Sequence, residues 1–129
     1  MSQPYWPPMS LEKSAPPIDR AFLAEYTGGD PGRELQLLDR FRHALEIDFA
    51  HLETALGADD APEALAILHR MKGAGAAIGA VPLADACVHL EQSGGRDDLG
   101  GVLAGLQVLR AEVDRVAAFI AQLRLEREA

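Results

Sequence analysis

DPGRELQLLDRFRHALEIDFAHLETALG, Asp30 to Gly57, decides the fold. An aspartate followed by a proline is a helix start. The carboxylate caps free backbone N–H groups, and Pro31 at the first helical position lacks only an N–H that has no partner there anyway. Apolar residues then recur at Leu35, Leu38, Phe41, Leu45, Phe49, Leu52 and Leu56, in steps of three and four. That spacing draws one stripe along a helix, the face turned to a core, and Gly57 ends it. At ~1.5 Å per residue the helix is roughly 40 Å long.

The same punctuation continues on both sides. Upstream, Asp19 caps a short helix, Phe22, Leu23 and Tyr26 are expected to face inward, and Gly28-Gly29 closes it. Downstream, Asp59-Asp60 and Pro62 open a helix whose inward stripe takes Leu65, Leu68 and Met71 and runs to Ile78, with Gly79 as its stop. Pro82 opens the next, with Leu83, Ala86, Cys87 and Leu90 inward and Gly94-Gly95 at its end. Asp97-Asp98 cap a last long helix with the stripe Leu99, Val102, Leu106, Leu109, Val113, Val116, Ile120 and Leu123. No strand pattern and no repeat interrupts the series. Short connections make successive helices antiparallel. The expected fold is all-α: an up-down-up-down antiparallel four-helix bundle over residues 18–127, with a short extra N-terminal helix laid across one end. Residues 1–17 hold five of the eight prolines and read as a flexible arm or linker. Its Tyr5 and Trp6 are either incidental or a contact to the bundle or to a partner.

Composition narrows the function. A chain of 129 residues makes one domain. With 48% hydrophobic but only 5% aromatic residues, its core is built from Leu, Ala, Val and Ile. A net charge of −8 argues against nucleic acid and anionic membrane surfaces as partners. The single cysteine, Cys87, excludes an internal disulfide. No apolar run is long enough to span a bilayer, and prolines stand where an export signal would be apolar. The expected location is the cytoplasm.

The chemistry concentrates in His69-Arg70-Met71-Lys72-Gly73-Ala74-Gly75-Ala76-Ala77-Ile78-Gly79. On a helix His69, Lys72, Gly73 and Ala76 share one stripe, an imidazole and a cation beside bare backbone. Each mid-helix glycine costs roughly 0.5–1 kcal/mol against alanine, so Gly73 and Gly75 call for a reason. Beyond the arm the chain has ten arginines and one lysine, and that lysine is Lys72. A neutral imidazole is nucleophilic near neutral pH, a lysine can offset phosphoryl charge, and a glycine leaves room for both the group and a docking protein. His43, His51 and His89 stand outside any HExxH or Glu-x-x-His pattern, so no metal site is expected. There is no Gly-rich nucleotide loop and no Asp cluster for Mg²⁺. The chain is therefore expected to be neither a kinase nor a receiver.

His69-x-Met71-Lys72-Gly73-Ala74 continuing to Ile78-Gly79, followed by Pro82-Leu83-Ala84-x-x-Cys87-x-x-Leu90-Glu91, resembles the signature of histidine-containing phosphotransfer (HPt) domains. The resemblance covers roughly residues 18–125. It implies a bundle that carries a phosphoryl group on one exposed histidine between aspartates of receiver domains. It implies no cofactor and no metal of its own, the Mg²⁺ and catalytic machinery being the receiver's. It implies His69 as acceptor, Lys72 as charge partner, Gly73 as the residue admitting the receiver, and Glu91 as the group that orients the imidazole. Arg70 and Ala76 are expected on the docking rim. The frequent serine after Lys-Gly is replaced by Ala74 or Gly75. The implied partners are response-regulator receivers and a hybrid sensor histidine kinase, with the chain a monomer and not an enzyme. Two matters stay open: an adaptor or inhibitor that docks without carrying a phosphoryl group, and a stand-alone protein against a tethered domain.

Overall fold

The computed structural model describes residues 15–94 and 99–128. Among these are five helices: α1 (Arg20–Thr27), α2 (Pro31–Gly57), α3 (Ala61–Ile78), α4 (Val81–Gly94) and α5 (Gly100–Glu128). The four longer ones close a ring, α2 against α3, α3 against α4, α4 against α5 and α5 back against α2, while α1 leans on α2. This is the expected all-α bundle with its short extra helix.

The helix ends follow capping chemistry. The Asp19 carboxylate accepts from Phe22 N at 3.1 Å, that of Asp30 from Gly32 N at 2.9 Å, and that of Asp60 from Glu63 N at 3.2 Å. Each satisfies a backbone donor that the first turn of a helix leaves without a partner. Gly28 and Gly79 end α1 and α3 in the left-handed region, at φ 65° and 83°. Gly79 has a second duty. Its carbonyl accepts from Asp19 N at 2.9 Å, which ties the start of α1 to the end of α3. The expected caps Asp97-Asp98 and the stop at Gly95 lie outside the described residues.

The α2 stripe is buried from Leu35 through Leu56 without exception. It meets Leu68 and Met71 of α3, Leu83, Cys87 and Leu90 of α4, and Val102, Leu109, Val113, Val116 and Ile120 of α5 in one core. Leu65, Leu106 and Leu123 sit at its margin, partly buried. Ile67 is fully buried beside Leu68, so α3 buries a wider face than its expected stripe. Tyr26 is a correction. It is 58% exposed, because Leu23 of α1 and Ile18 just before the helix make the contact with the core while Tyr26 lies on the outer edge of Phe22, ring centroids 5.6 Å apart.

Two acidic side chains are buried with a partner. Glu34 bonds Arg20 at 2.9 Å, and Glu112 bonds Arg115 at 3.0 Å. Arg115 also donates to the Ala15 carbonyl, holding the segment before α1 against α5.

At the far end of α4 a glycine permits close packing. A Cβ on Gly94 would lie 2.9 Å from both Leu65 Cδ2 and Val102 Cγ2. Leu65 can swing aside, but the β-branched Val102 has little rotamer freedom in a helix. Gly94→Ala is expected to lower unfolding stability by about 1–3 kcal/mol, as overpacking does. Urea unfolding of the two proteins, compared at equal m-value, measures it.

Candidate functional site

His69 is near the middle of α3, away from both of its capped ends. Ile67, Leu68 and Met71 around it are fully buried, so the helix cannot roll, and the next position on the turn must face out. The His69 side chain is accordingly 68% exposed.

Antiparallel register then selects its neighbours. The α3–α4 turn centres on residue 80, which lies midway between 69 and 91, so Glu91 stands opposite His69 on the next helix. His69 Nδ1 is 3.2 Å from Glu91 Oε2. A carboxylate only accepts, so this bond puts the proton on Nδ1 and leaves the lone pair on Nε2. Among the described residues, nothing bonds Nε2. Glu91 is itself held, its side chain 25% exposed at the seam between two helices.

Lys72 follows one turn along the same stripe. It is half-buried, and among the described residues it has no ion-pair partner. Gly73 and Ala76 are exposed. A Cβ placed on Gly73 would meet nothing within 4 Å, so no contact inside the chain demands glycine there. Gly75 differs. It is buried, a Cβ there would touch the Ala80 carbonyl and Leu83 Cδ2, each at 3.4 Å, and its carbonyl accepts from Ala80 N at 2.8 Å. Its smallness lets the end of α3 lie close on the start of α4. Cys87 lies beneath the same seam. Burial pushes its thiol up to about 12, the Glu91 charge adding to this and the Lys72 charge opposing it. It stays a neutral thiol, packed in the core.

Arg70 points the other way around α3, toward α2. Its Nε and Nη2 both donate to Asp48 Oδ1, at 3.2 and 2.9 Å. The same register rule applies, since residue 59, in the α2–α3 turn, lies midway between 48 and 70. Sequence reasoning missed Asp48. The only signal was its place one residue before the buried Phe49, which puts it on the flank of the α2 stripe.

The structure thus brings His69, Lys72, Gly73, Ala76 and Glu91 onto one face, with Arg70 at its edge. Among the described residues, no group of three His, Cys, Asp or Glu side chains could hold a metal ion, and no helix is long and apolar enough to cross a membrane. His43 and His51 are exposed on α2.

An exposed imidazole, aimed from a rigid antiparallel bundle by a carboxylate on the adjacent helix, defines a class of helical proteins built to present one reactive histidine. The family model of the Hpt domain matches residues 36–119. Histidine-containing phosphotransfer protein B (HptB) of Pseudomonas aeruginosa is 31% identical, with 87% of this chain and 97% of that one covered, at a TM-score of 0.79. Two further solved structures share the fold. The HPT domain of a sensor hybrid histidine kinase from Shewanella is 18% identical over 84% of this chain and 94% of that one, at a TM-score of 0.69. A rice chain described as a histidine-containing phosphotransfer protein is 20% identical over 94% and 91%, at a TM-score of 0.74. No curated protein sequence matches. The chain belongs to the Hpt domain family, the histidine phosphotransfer carriers of phosphorelays.

Proposed function

We propose that this chain accepts a phosphoryl group on His69 Nε2 from a receiver-domain aspartate and passes it to another. The observation that carries the proposal is the 3.2 Å contact between His69 Nδ1 and Glu91 on an otherwise exposed ring. With Nδ1 protonated, Nε2 attacks the phosphorus of the receiver's aspartyl phosphate. The N–P bond forms as the P–O bond to the aspartate carboxylate breaks, and the carboxylate leaves. The ring then carries a substituent on Nε2 and a proton on Nδ1, so positive charge develops on it, and the Glu91 carboxylate offsets that charge. Lys72 offsets the charge on the phosphoryl oxygens, and Gly73 keeps the approach open, with Ala76 beyond it on the docking face.

The chain supplies no nucleotide site and no metal in this reading. Mg²⁺ belongs to the receiver, so the protein is a carrier without kinase activity of its own. Its partners are response-regulator receivers and a hybrid sensor histidine kinase. It works as a monomer in the cytoplasm, through residues 18–127; residues 1–14 of the expected arm, Tyr5 and Trp6 among them, lie outside the described residues.

The test is incubation with receiver domains phosphorylated in advance. Acid-labile label should move to this protein from a subset of them. Transfer from none, or acid-stable label, would contradict the proposal. Glu91→Ala is expected to slow transfer by about tenfold, equivalent to ~1.4 kcal/mol of lost transition-state stabilisation, with the fold intact. Rapid-quench kinetics and circular dichroism on the same sample separate the two effects. An unchanged rate would reduce Glu91 to a solvated helix residue.

A further inference from the structure

Arg70 stands beside His69 but is not free to wander. Two of its donors are spent on one oxygen of Asp48, whose side chain is only 15% exposed. Asp48 is anchored by its neighbour in sequence, the buried Phe49, so the carboxylate is a fixed post on α2. A guanidinium has five N–H donors. The three that remain belong to a side chain that is 54% exposed, so Arg70 is fixed at one end and open at the other. Arginine otherwise loses much rotamer entropy when it binds a partner, and here the pair has already restricted it.

The surroundings give that cation a use. The chain carries a net charge of −8, with Glu91 against His69 and with Asp48 and Glu63 close to Arg70. A receiver presents a phosphorylated aspartate among further carboxylates, so like charges oppose its approach. Lys72, on the His69 stripe, and Arg70, exposed next to His69 in sequence on the α2 side, are the nearby cations.

We propose that Asp48 is a positioning residue for partner recognition: it holds Arg70 at the rim of the His69 face, where the guanidinium selects receivers bearing a carboxylate opposite it. This rests on the phosphotransfer reading above. The contact would act on docking, through encounter rate and salt dependence, and not on the chemical step at Nε2.

The sign of one substitution separates this from simpler accounts. Asp48→Ala removes a negative charge near the site. If charge alone mattered, an acidic receiver would dock better and KM would fall. If Asp48 positions Arg70, KM rises, by roughly three- to tenfold, with kcat unchanged. Arg70→Gln is expected to raise KM by a similar factor and to flatten its dependence on ionic strength. In the Arg70→Gln background, Asp48→Ala should then have no further effect, because its target is gone. Asp48→Glu is expected to recover part of the lost affinity.

The experiment measures initial transfer rates from a cognate phosphorylated receiver across receiver concentration, at low and physiological salt, for these four variants and the unaltered chain. A fall in KM for Asp48→Ala, an unchanged KM, or additive effects in the double variant would overturn the inference and leave the carrier role of His69 standing. A loss in kcat alone would also overturn it. Absence of transfer to the unaltered chain from every receiver would overturn both.

Discussion

Replacing His69 with glutamine is expected to abolish transfer from any phosphorylated receiver, to below the detection limit of a radiolabel assay, while leaving the bundle folded. The fold should survive because the side chain is 68% exposed and, among the described residues, its one hydrogen-bond partner is Glu91. Surface substitutions away from buried partners shift stability by about 0.5 kcal/mol or less. Glutamine keeps a polar group within reach of Glu91 but has no nucleophilic nitrogen, since its amide lone pair is delocalised into the carbonyl. His43 and His51 offer no substitute, as neither has the carboxylate, lysine and glycine that surround His69. Label that persisted on the His69→Gln protein would place the acceptor elsewhere.

Gly73 should show the second large effect, and it separates folding from function more sharply. Nothing lies within 4 Å of a Cβ built there, and the residue is mid-helix, where glycine costs roughly 0.5–1 kcal/mol relative to alanine. Gly73→Ala should therefore raise stability by about that amount. Gly73→Gln should fold as well, since glutamine is a good helix former and the space is open. Yet it places a long side chain on the stripe one turn from His69, where the phosphoryl donor must come within bonding distance of Nε2. Misplacement of reacting groups by about 1 Å costs on the order of a hundredfold in rate. Gly73→Gln is expected to lose at least that much transfer, with a melting temperature equal to or above that of the unaltered chain. If thermal unfolding fell and transfer held, Gly73 would be a packing residue after all.

This contrast bears on what glycines in a sequence disclose. Gly73 and Gly75 looked alike as helix-weakening residues two positions apart. Only the structure separates them: one faces open solvent, and the other touches the Ala80 carbonyl and Leu83 across the α3–α4 turn. Capping and the longest stripe were legible. Asp19, Asp30 and Asp60 cap where they were expected to, and the α2 stripe is buried throughout. These features depend on residues within one helix. Tyr26 was misplaced because a period of three and four residues marks a face without saying how wide a short helix's contact is. The partly buried Leu65 and fully buried Ile67 show the same limit on α3.

Long-range pairs were hidden for another reason. Arg20 with Glu34, Arg70 with Asp48, and Arg110 with Glu46 join residues on different helices, and their choice depends on register. Register follows from the turn centres, which place 69 opposite 91 and 70 opposite 48. Glu91 was accessible through its spacing in the motif, whereas Asp48 belongs to no motif. Buried Glu112 was hidden too, because its partner Arg115 is drawn in by a carbonyl 100 residues away, that of Ala15.

In the proposed transfer Glu91 fixes the proton on Nδ1 so that Nε2 carries the phosphoryl group. The most direct measurement is a phosphorus–nitrogen correlation by NMR on the ¹⁵N-histidine-labelled protein after transfer from a phosphorylated receiver. Coupling of the phosphorus to Nε2 of His69, with Nδ1 still protonated, is the result the geometry predicts. Phosphorus bonded to Nδ1, or to any residue other than His69, would contradict it.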